Sequence, residues 1–150
     1  LAFSQRCVLA FSGGGPEKCW PLSHHKALLE ELGKMPNPPH VVLVGSSADR
    51  DSGAFLAANL PHVTDLTASV SLRQVMAITA TAGRVICHPS MMMHAAAAFQ
   101  KPVLVFLGPG MPDVDHHAKL WICNSRAISL AMPTVEAALC HFAAQEIPGR

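Results

Sequence analysis

The sequence predicts an α/β fold, a Rossmann-like parallel sheet with helices on both faces. Short apolar segments that end at glycine or small polar residues alternate five times with segments of helical spacing. The apolar segments are continuous rather than alternating, which is typical of parallel strands buried on both faces. The chain has 150 residues, the usual length of one domain. We therefore expect residues 1–150 to form a single Rossmann-like domain.

The first strand-helix unit begins with the apolar run 6–12, which ends at three consecutive glycines. This combination predicts a buried strand that leads into a tight turn. The apolar positions of residues 21–32 then form a stripe at helical spacing. Pro21 suits a first helical turn and Gly33 provides a stop, so the first helix is predicted between them.

The same unit repeats twice in the middle of the chain. The β-branched run 41–44 predicts the second strand, and helical spacing over 49–60 predicts the second helix. A short third strand is predicted at 63–66. Ser71 is a suitable N-cap for a third helix that continues to residue 82.

The last repeats contain the clearest strand of the chain, 102–107. It follows a strand predicted at 85–87 and a helix, rich in methionine and alanine, predicted at 91–99. Beyond residue 110 the pattern predicts a polar loop at 111–119, a strand at 120–123 and a helix at 133–144.

Composition excludes several classes of partner. Eleven basic and ten acidic residues give a formal charge of +1, so no electrostatic footprint for nucleic acid or an anionic membrane is expected. No apolar stretch approaches the roughly 20 residues that span a bilayer. The cysteines are odd in number and scattered, which indicates reduced thiols and a cytoplasmic protein. They are Cys7, Cys19, Cys87, Cys123 and Cys140.

The start of the chain leads us to expect part of a longer protein. Leu1 stands where a complete chain would have methionine, and no charged segment followed by an apolar one resembles a signal peptide. A truncated two-domain enzyme would have this appearance, with one well-formed domain and half of a site.

A candidate anion site follows the first strand. In open α/β sheets ligands lie at the carboxyl ends of the strands, where glycine turns expose backbone N–H groups. Gly13, Gly14 and Gly15 are followed by Lys18, which would place a backbone cradle and a cation together, as a diphosphate requires. The alternative is a flexible turn with a solvent-exposed lysine.

Other candidates follow the second and fourth strands. Asp49 and Asp51 come after the second strand, where a carboxylate can accept hydrogen bonds from a ribose. Acidic residues are also common at helix N-termini for dipole reasons alone. Ser90 and His94 lie near the start of the methionine-rich helix, where a hydroxyl and an imidazole could donate to phosphate oxygens. A purely structural histidine is the alternative.

No metal site is expected. The three consecutive methionines 91–93 point in different directions around a helix, so we interpret them as core residues. The histidine pairs 24–25 and 116–117 lack zinc-site spacing. No Ser-His-Asp or Cys-His arrangement indicates a nucleophile.

Three segments together resemble the C-terminal domain of glycosyltransferase family 9, the heptosyltransferase-like enzymes, over nearly the whole chain. Residues 11–21 (FSGGGPEKCWP) resemble the glycine loop followed by Lys-x-Trp-Pro. Residues 65–72 (DLTASVSL) are similar to Asp-Leu-x-Gly-x-Thr-Ser-Leu, with Ala68 replacing the glycine. Residues 90–108 (SMMMHAAAAFQKPVLVFLG) resemble the Ser/Thr-Gly-x-x-His-x-Ala-Ala-Ala segment that ends in Lys-Pro and a strand.

The resemblance implies a GT-B fold in which this domain binds a nucleotide diphosphate sugar, with an ADP-sugar as the expected donor. Lys18 would neutralise the diphosphate, Asp49 or Asp51 would hold the ribose, and Ser90 and His94 would hold phosphates. A second, N-terminal domain would bind the acceptor and supply the catalytic base. The implied reaction is an inverting transfer of heptose or a related sugar to lipopolysaccharide or another glycan. It needs no cofactor or metal, and the resemblance places it at the inner face of the cytoplasmic membrane.

One departure from the family pattern keeps an alternative open. Pro89-Ser90-Met91 stands where the family has Asp-Ser/Thr-Gly, so an acidic side chain and a glycine that lets the backbone approach phosphate are both replaced. The change indicates either a different donor sugar or a non-catalytic nucleotide-binding or scaffolding domain. A related GT-B enzyme such as a sugar-nucleotide epimerase is a weaker third alternative.

Overall fold

The computed structural model describes residues 5–110 and 126–145. Within them six strands form one sheet, and five α-helices pack on it. The strands are β1 (Arg6–Ala10), β2 (His40–Val44), β3 (Val63–Asp65), β4 (Arg84–Cys87), β5 (Val103–Leu107) and β6 (Ala127–Ala131). The helices are α1 (Leu22–Gly33), α2 (Arg50–Ala57), α3 (Leu72–Thr81), α4 (Met91–Ala98) and α5 (Val135–Ala144).

All neighbouring strands are parallel, in the order β3-β2-β1-β4-β5-β6. The chain builds outward from β1 to β3, then crosses back through α3 to place β4 on the other side of β1. The carboxyl ends of β1 and β4 therefore face a crevice where the strand order reverses. Such a crevice is where open α/β sheets bind ligands. The predicted doubly wound α/β fold is confirmed.

Apolar side chains cover both faces of the sheet, as the continuous apolar strands predict. On one face, alternate residues of the central strands pack against α3 and α4, including Val75, Met92 and Ala96. On the other face the remaining strand residues pack against α1, α2 and α5, including Leu28, Leu56 and Phe142. Two cores thus hold the sheet, and its carboxyl edge stays open between them.

Local capping explains where several helices begin. Ser71 accepts a hydrogen bond from the backbone N–H of Gln74, as predicted, and the Gln74 side chain returns one to the Ser71 N–H. The Thr134 hydroxyl oxygen accepts a hydrogen bond from the Ala137 N–H, so α5 begins at Val135, two residues after the predicted start. Helix α2 ends at Ala57, earlier than predicted, because Asn59 has a left-handed φ of 61°.

The C-terminal part of the sheet differs from expectation. Strand β6 was not predicted, and it pairs in parallel with β5 at the edge of the sheet. The loop predicted at 111–119 and the strand predicted at 120–123 lie outside the described residues. In the described part of the chain, no helix has the length and apolar character needed to cross a membrane.

Candidate functional site

A cleft of about 590 Å³ opens at the carboxyl edge of the sheet, next to the β1–β4 crevice. Its lining combines polar and apolar groups. The polar positions include Ser12, Gly13, Ser46, Asp49 and Ser90, which follow β1, β2 and β4. The apolar side chains include Val70, Leu72, Val75, Met91 and Met92, from the start of α3 and of α4. The fold therefore brings together residues from four separate turns at one opening.

The glycine loop after β1 leads into a 3₁₀ turn, Pro16–Lys18, rather than directly into a helix. The N–H groups of Lys18 and Cys19 close this turn on the carbonyls of Gly15 and Pro16, each at 3.1 Å. The Lys18 ammonium folds back over the loop, and its Nζ lies 3.7 Å from where a Cβ on Gly14 would be. The lysine cation therefore lies over the glycine loop, of which Gly13 alone is among the residues that line the cleft.

The conformation of the loop does not itself require all three glycines. None of them adopts a left-handed φ, and a Cβ on Gly13 would meet its nearest atom, the Cys19 sulfur, at 3.4 Å. A Cβ on Gly15 would meet only the flexible Glu17 carboxylate. Gly108, after β5, differs, since a Cβ there would overlap the Glu17 carbonyl oxygen and lie 2.5 Å from the Lys18 carbonyl carbon. Close packing at Gly108 therefore holds the 3₁₀ turn against the end of β5.

Ser90 marks the N-terminus of α4, which faces the cleft. Its hydroxyl oxygen accepts a hydrogen bond from the Met92 N–H at 3.3 Å, which leaves the hydroxyl proton available to a ligand. The aligned peptide dipoles of a helix favour an anion at this end. His94 lies one turn further along α4, is exposed, and does not line the cleft. The structure thus places Ser90 at the predicted position and His94 outside the cleft wall.

The two acidic candidates separate in space. Asp49 lies at the cleft and is half-buried, and its Oδ2 accepts hydrogen bonds from the Ser46 N–H at 2.8 Å and the Ser46 hydroxyl at 2.7 Å. The bond from the Ser46 N–H is part of a capping box, and the two bonds together fix the carboxylate. Asp51 is exposed in the first turn of α2 and does not line the cleft. Of the two, only Asp49 is positioned to meet a ligand there.

A buried histidine pair lies directly behind the glycine loop, and it was not predicted. His25 on α1 and His88 after β4 are both fully buried, and their Nε2 atoms are 2.9 Å apart. Burial, together with the neighbouring rings of His88 and His24, holds the pKa of His25 well below its usual value. Burial also lowers the pKa of His88 to about 4. Both rings are therefore neutral at pH 7.

Two sequence signals could have located this pair. His25 lies three and four residues before Leu28 and Leu29, so helical periodicity places it on the buried stripe of α1. His88 follows four buried strand residues without an intervening turn. Trp20 packs on the same cluster, with ring centroids 5.0 Å from His25 and 4.7 Å from Phe106. The three aromatic rings form a packed support beneath the loop.

Metal ligands do not gather at this edge or elsewhere in residues 5–110 and 126–145. In these two ranges no three side chains of His, Cys, Asp or Glu approach closely enough to hold an ion. The half-buried Cys19 thiol lies 3.3 Å from the Gly15 carbonyl oxygen, and burial raises its pKa. It is a protonated structural group at neutral pH.

Comparison with known proteins gives consistent matches. The family model for glycosyltransferase family 9 (heptosyltransferase) matches residues 4–135. Lipopolysaccharide heptosyltransferase 2 of Salmonella typhimurium is 30% identical over 129 residues, which cover 78% of this chain and 36% of the relative. The Escherichia coli protein of the same name gives the same values. The chain thus spans about a third of the length of these relatives.

Solved structures show the same fold. Escherichia coli ADP-heptose lipopolysaccharide heptosyltransferase II superposes with a TM-score of 0.78 at 23% identity, over 93% of this chain and 46% of that one. Escherichia coli heptosyltransferase WaaC with ADP gives 0.79 at 20% identity, over 95% and 44%. At these identities the likeness supports the fold, whereas the family model covers most of the sequence. The chain belongs to glycosyltransferase family 9.

Proposed function

We propose that this chain is the donor-binding part of a family 9 glycosyltransferase and that the cleft holds the nucleoside diphosphate of the sugar donor. The observation that carries the proposal is the mixed lining of the cleft, in which polar groups that follow β1, β2 and β4 meet apolar side chains from the start of α3 and α4. A nucleoside diphosphate needs both kinds of surface, since it joins an anionic diphosphate to a flat base. Protein sites for such ligands are largely apolar, with a few converging polar groups.

The diphosphate belongs beside Gly13 and Ser90. Gly13 and the α4 N-terminus both line the cleft, and glycine turns and helix N-termini are places where backbone N–H groups bind phosphate. The Lys18 ammonium supplies the cation, and the Ser90 hydroxyl supplies one donor. Since the fold itself tolerates a Cβ at Gly13, the small size of this residue has its use in letting phosphate approach the backbone.

The nucleoside extends toward the start of α3. Asp49 lines the cleft, and its Oδ1 has no hydrogen-bond partner among the described residues. This oxygen can accept bonds from ribose hydroxyls while Oδ2 remains fixed by Ser46. Val70, Leu72 and Val75 then supply an apolar surface for the base. Asp51 and His94 stay predictions, since neither lines the cleft.

The reaction that these residues would serve is displacement at the anomeric carbon of the donor sugar. An acceptor hydroxyl attacks, the bond from that carbon to the β-phosphate oxygen breaks, and the diphosphate leaves with the electron pair. Lys18, Ser90 and the α4 N-terminus stabilise the charge that grows on the leaving group. A carboxylate of a second domain would take the acceptor proton, giving inversion without a metal.

Relatives suggest the donor and the acceptor. Solved neighbours were determined with ADP and with ADP-2-deoxy-2-fluoro heptose, and sequence relatives are lipopolysaccharide heptosyltransferases. We infer an ADP-sugar donor that carries heptose or a related sugar, and a lipopolysaccharide or other glycan acceptor. We propose that the whole enzyme acts in the cytoplasm, at the inner face of the membrane.

Met91 favours a second candidate, a domain that binds nucleotide without transferring sugar. Its side chain is 51% exposed and lines the cleft beside Ser90. The thioether therefore occupies space at the α4 N-terminus, and Pro89 beside it supplies no charge. A domain of this kind would bind the free nucleotide as well as the nucleotide sugar.

Calorimetric titration of the chain with ADP, UDP and GDP tests the proposal. We expect ADP to bind most tightly. Lys18→Ala should lower the affinity for ADP by about 10-fold to 100-fold, because a hydrogen bond to a charged group contributes roughly 1.5–3 kcal/mol. Lys34→Ala is the matched control, since Lys34 is exposed at the end of α1 and pairs with Glu31. If wild type and Lys18→Ala bind ADP equally tightly, the diphosphate does not bind at this loop.

Titration with ADP-heptose separates the two candidates. A donor-binding half should bind the sugar nucleotide at least as tightly as ADP, because the sugar adds contacts at the same cleft. If Met91 blocks the sugar, ADP-heptose should bind more weakly than ADP, and Met91→Gly should restore it. That second pattern would favour the non-catalytic domain.

A further inference from the structure

The His25–His88 pair connects three elements of the structure. His88 follows β4, and its Nδ1 lies 3.4 Å from the Trp20 backbone nitrogen and 3.3 Å from the Lys18 carbonyl oxygen. Its Nε2 is 2.9 Å from Nε2 of His25 on α1. A single ring therefore contacts the 3₁₀ turn from one side and the first α-helix from the other.

The position of His88 between the two proposed phosphate-binding groups is specific. The residue precedes Pro89 and Ser90, so its backbone leads directly into the N-terminus of α4. Its Cβ lies 3.5 Å from where a Cβ on Gly13 would be, which places the ring immediately behind the glycine loop. It does not line the cleft. Any effect of His88 on a ligand must therefore act through Lys18, the loop or Ser90.

The proton shared by the two rings determines which backbone group His88 Nδ1 bonds to. A hydrogen bond between the two Nε2 atoms needs one proton between them. If His25 provides it, His88 Nδ1–H donates to the Lys18 carbonyl, and His25 Nδ1 is the bare nitrogen that has no partner. If His88 provides it, its Nδ1 accepts from the Trp20 N–H. In both neutral arrangements the His88 ring stays bonded to the backbone at residues 18–20.

We propose that His88, supported by His25, is a positioning residue of the donor site, which holds the Lys18 turn in register with Ser90 so that both meet one diphosphate. The inference rests on the proposed function for its ligand and on the geometry of the pair for its mechanism. Without the ring, the 3₁₀ turn keeps its internal hydrogen bonds but loses its only described side-chain link to the β4–α4 turn. The Lys18 ammonium then no longer has a fixed distance to the α4 N-terminus.

ADP titration of His88 variants of the full chain tests this role. We expect His88→Ala to raise the Kd for ADP by about 10-fold, equivalent to about 1.4 kcal/mol. His88→Asn places a polar atom at the position of Nδ1 and should recover binding to within about 3-fold of wild type. His141→Ala, a change of an exposed histidine on α5, should have no effect. His88→Leu replaces His88→Ala if the smaller side chain prevents folding.

A double-mutant cycle with Lys18→Ala separates positioning from general destabilisation. If His88 acts by placing Lys18, then Lys18→Ala/His88→Ala should bind ADP within about 2-fold of Lys18→Ala alone, since coupled residues are non-additive. Fully additive losses, or a His88→Ala chain that binds ADP as wild type does, overturn the proposal while the proposed function stands.

Amide hydrogen exchange supplies an arm that needs no ligand. The amides of residues 17–20 should exchange faster in His88→Ala than in wild type or His141→Ala, and His88→Asn should restore their protection. If wild type itself fails to bind ADP, the proposed function fails, and this arm alone decides the role of His88. Unchanged exchange at residues 17–20 in His88→Ala would overturn it.

Discussion

Two cavities of nearly equal size lie at opposite edges of the sheet. The cleft at the carboxyl edge has a volume of about 590 Å³, and a cavity at the amino edge has about 530 Å³. A basic residue is close to each: Arg84 lines the second, and Lys18 lies over the glycine loop, whose Gly13 lines the first. Volume and charge therefore do not distinguish them.

The difference lies in what the polar groups already bind. The buried Arg84 guanidinium donates to the Phe142 and Gln145 carbonyls and stacks on the Phe142 ring at 4.0 Å. It closes the C-terminus of α5, where the helix dipole favours a cation. At the carboxyl edge the Lys18 ammonium folds over the glycine loop, with the α4 N-terminus beside the same cleft. The Arg84 cation is thus used within the fold, whereas we propose that the carboxyl edge keeps its cation and the α4 N-terminus for a ligand.

The largest expected difference between the two edges is a loss of stability in acid. It is caused by the buried histidines beneath the carboxyl edge. His88 has a pKa of about 4 when folded and about 6.5 when unfolded. The unfolded chain therefore binds a proton first as pH falls, and His88 alone should lower the unfolding free energy by about 3 kcal/mol between pH 6.5 and 4. His25 acts in the same direction.

Urea unfolding at several pH values measures this loss. Other groups facing the pair are His24 on α1, whose charge would oppose protonation further, and Lys18 and Cys19 on the turn. In His88→Asn the loss between pH 6.5 and 4 should be smaller, so the stabilities of variant and wild type converge in acid. At the amino edge, His40→Asn should change the slope less, because His40 is only partly buried and its pKa is lowered less. Parallel curves for wild type and His88→Asn would contradict the interpretation.

Removing each of the two cations in a separate variant should give opposite phenotypes. Arg84→Ala removes two hydrogen bonds to α5 and a cation–π contact, and we expect a loss of about 3 kcal/mol in unfolding free energy. Its affinity for ADP should stay at the wild-type value in the folded protein. Lys18→Ala should change the unfolding free energy by less than about 0.5 kcal/mol, and it should lower the affinity for ADP. Thermal unfolding and calorimetry on both variants decide the question, and the same phenotype in both would remove the distinction between the edges.

Much of the carboxyl edge could be predicted from sequence because its signals are local. Glycine turns after apolar runs fix the βα units, and the carboxyl ends of parallel strands must share one edge. The turns that carry Gly13, Asp49 and Ser90 therefore had to meet. Strand β6 was missed because it is a half-buried edge strand of five residues, and its burial depends on β5 rather than on its own pattern.

The remaining details depend on contacts between distant residues. Only the 3₁₀ turn at Ser47–Asp49 selects Asp49 over Asp51, because it turns the first carboxylate toward Ser46. The pairing of His25 with His88 joins residues 63 positions apart, and local periodicity can place each ring inside without showing that they meet. Contacts of this range are set by packing, which the one-dimensional pattern does not record.

The smallest expected effect comes from adding one methyl group to glycines on the two sides of the 3₁₀ turn. Gly108→Ala inserts a Cβ against the backbone of Glu17 and Lys18. Because backbone cannot rotate away, we expect a loss of about 2 kcal/mol in stability and a shifted turn. Gly15→Ala meets only the Glu17 carboxylate, and Gly15 has an extended φ of 175° that any residue adopts, so its stability should change by less than about 0.5 kcal/mol.

Urea unfolding and ADP titration of these two variants test whether the end of β5 or the glycine triplet sets the shape of the loop. We expect Gly108→Ala to lower both the affinity for ADP and the unfolding free energy, since the displaced turn carries Lys18. A larger stability loss in Gly15→Ala than in Gly108→Ala would show that the triplet itself holds the fold. In that case Gly15 would have a structural role, and its value as a sign of a phosphate site would fall. A larger stability loss in Gly108→Ala would indicate that Gly108 and His88 support the loop and that the three glycines serve the ligand.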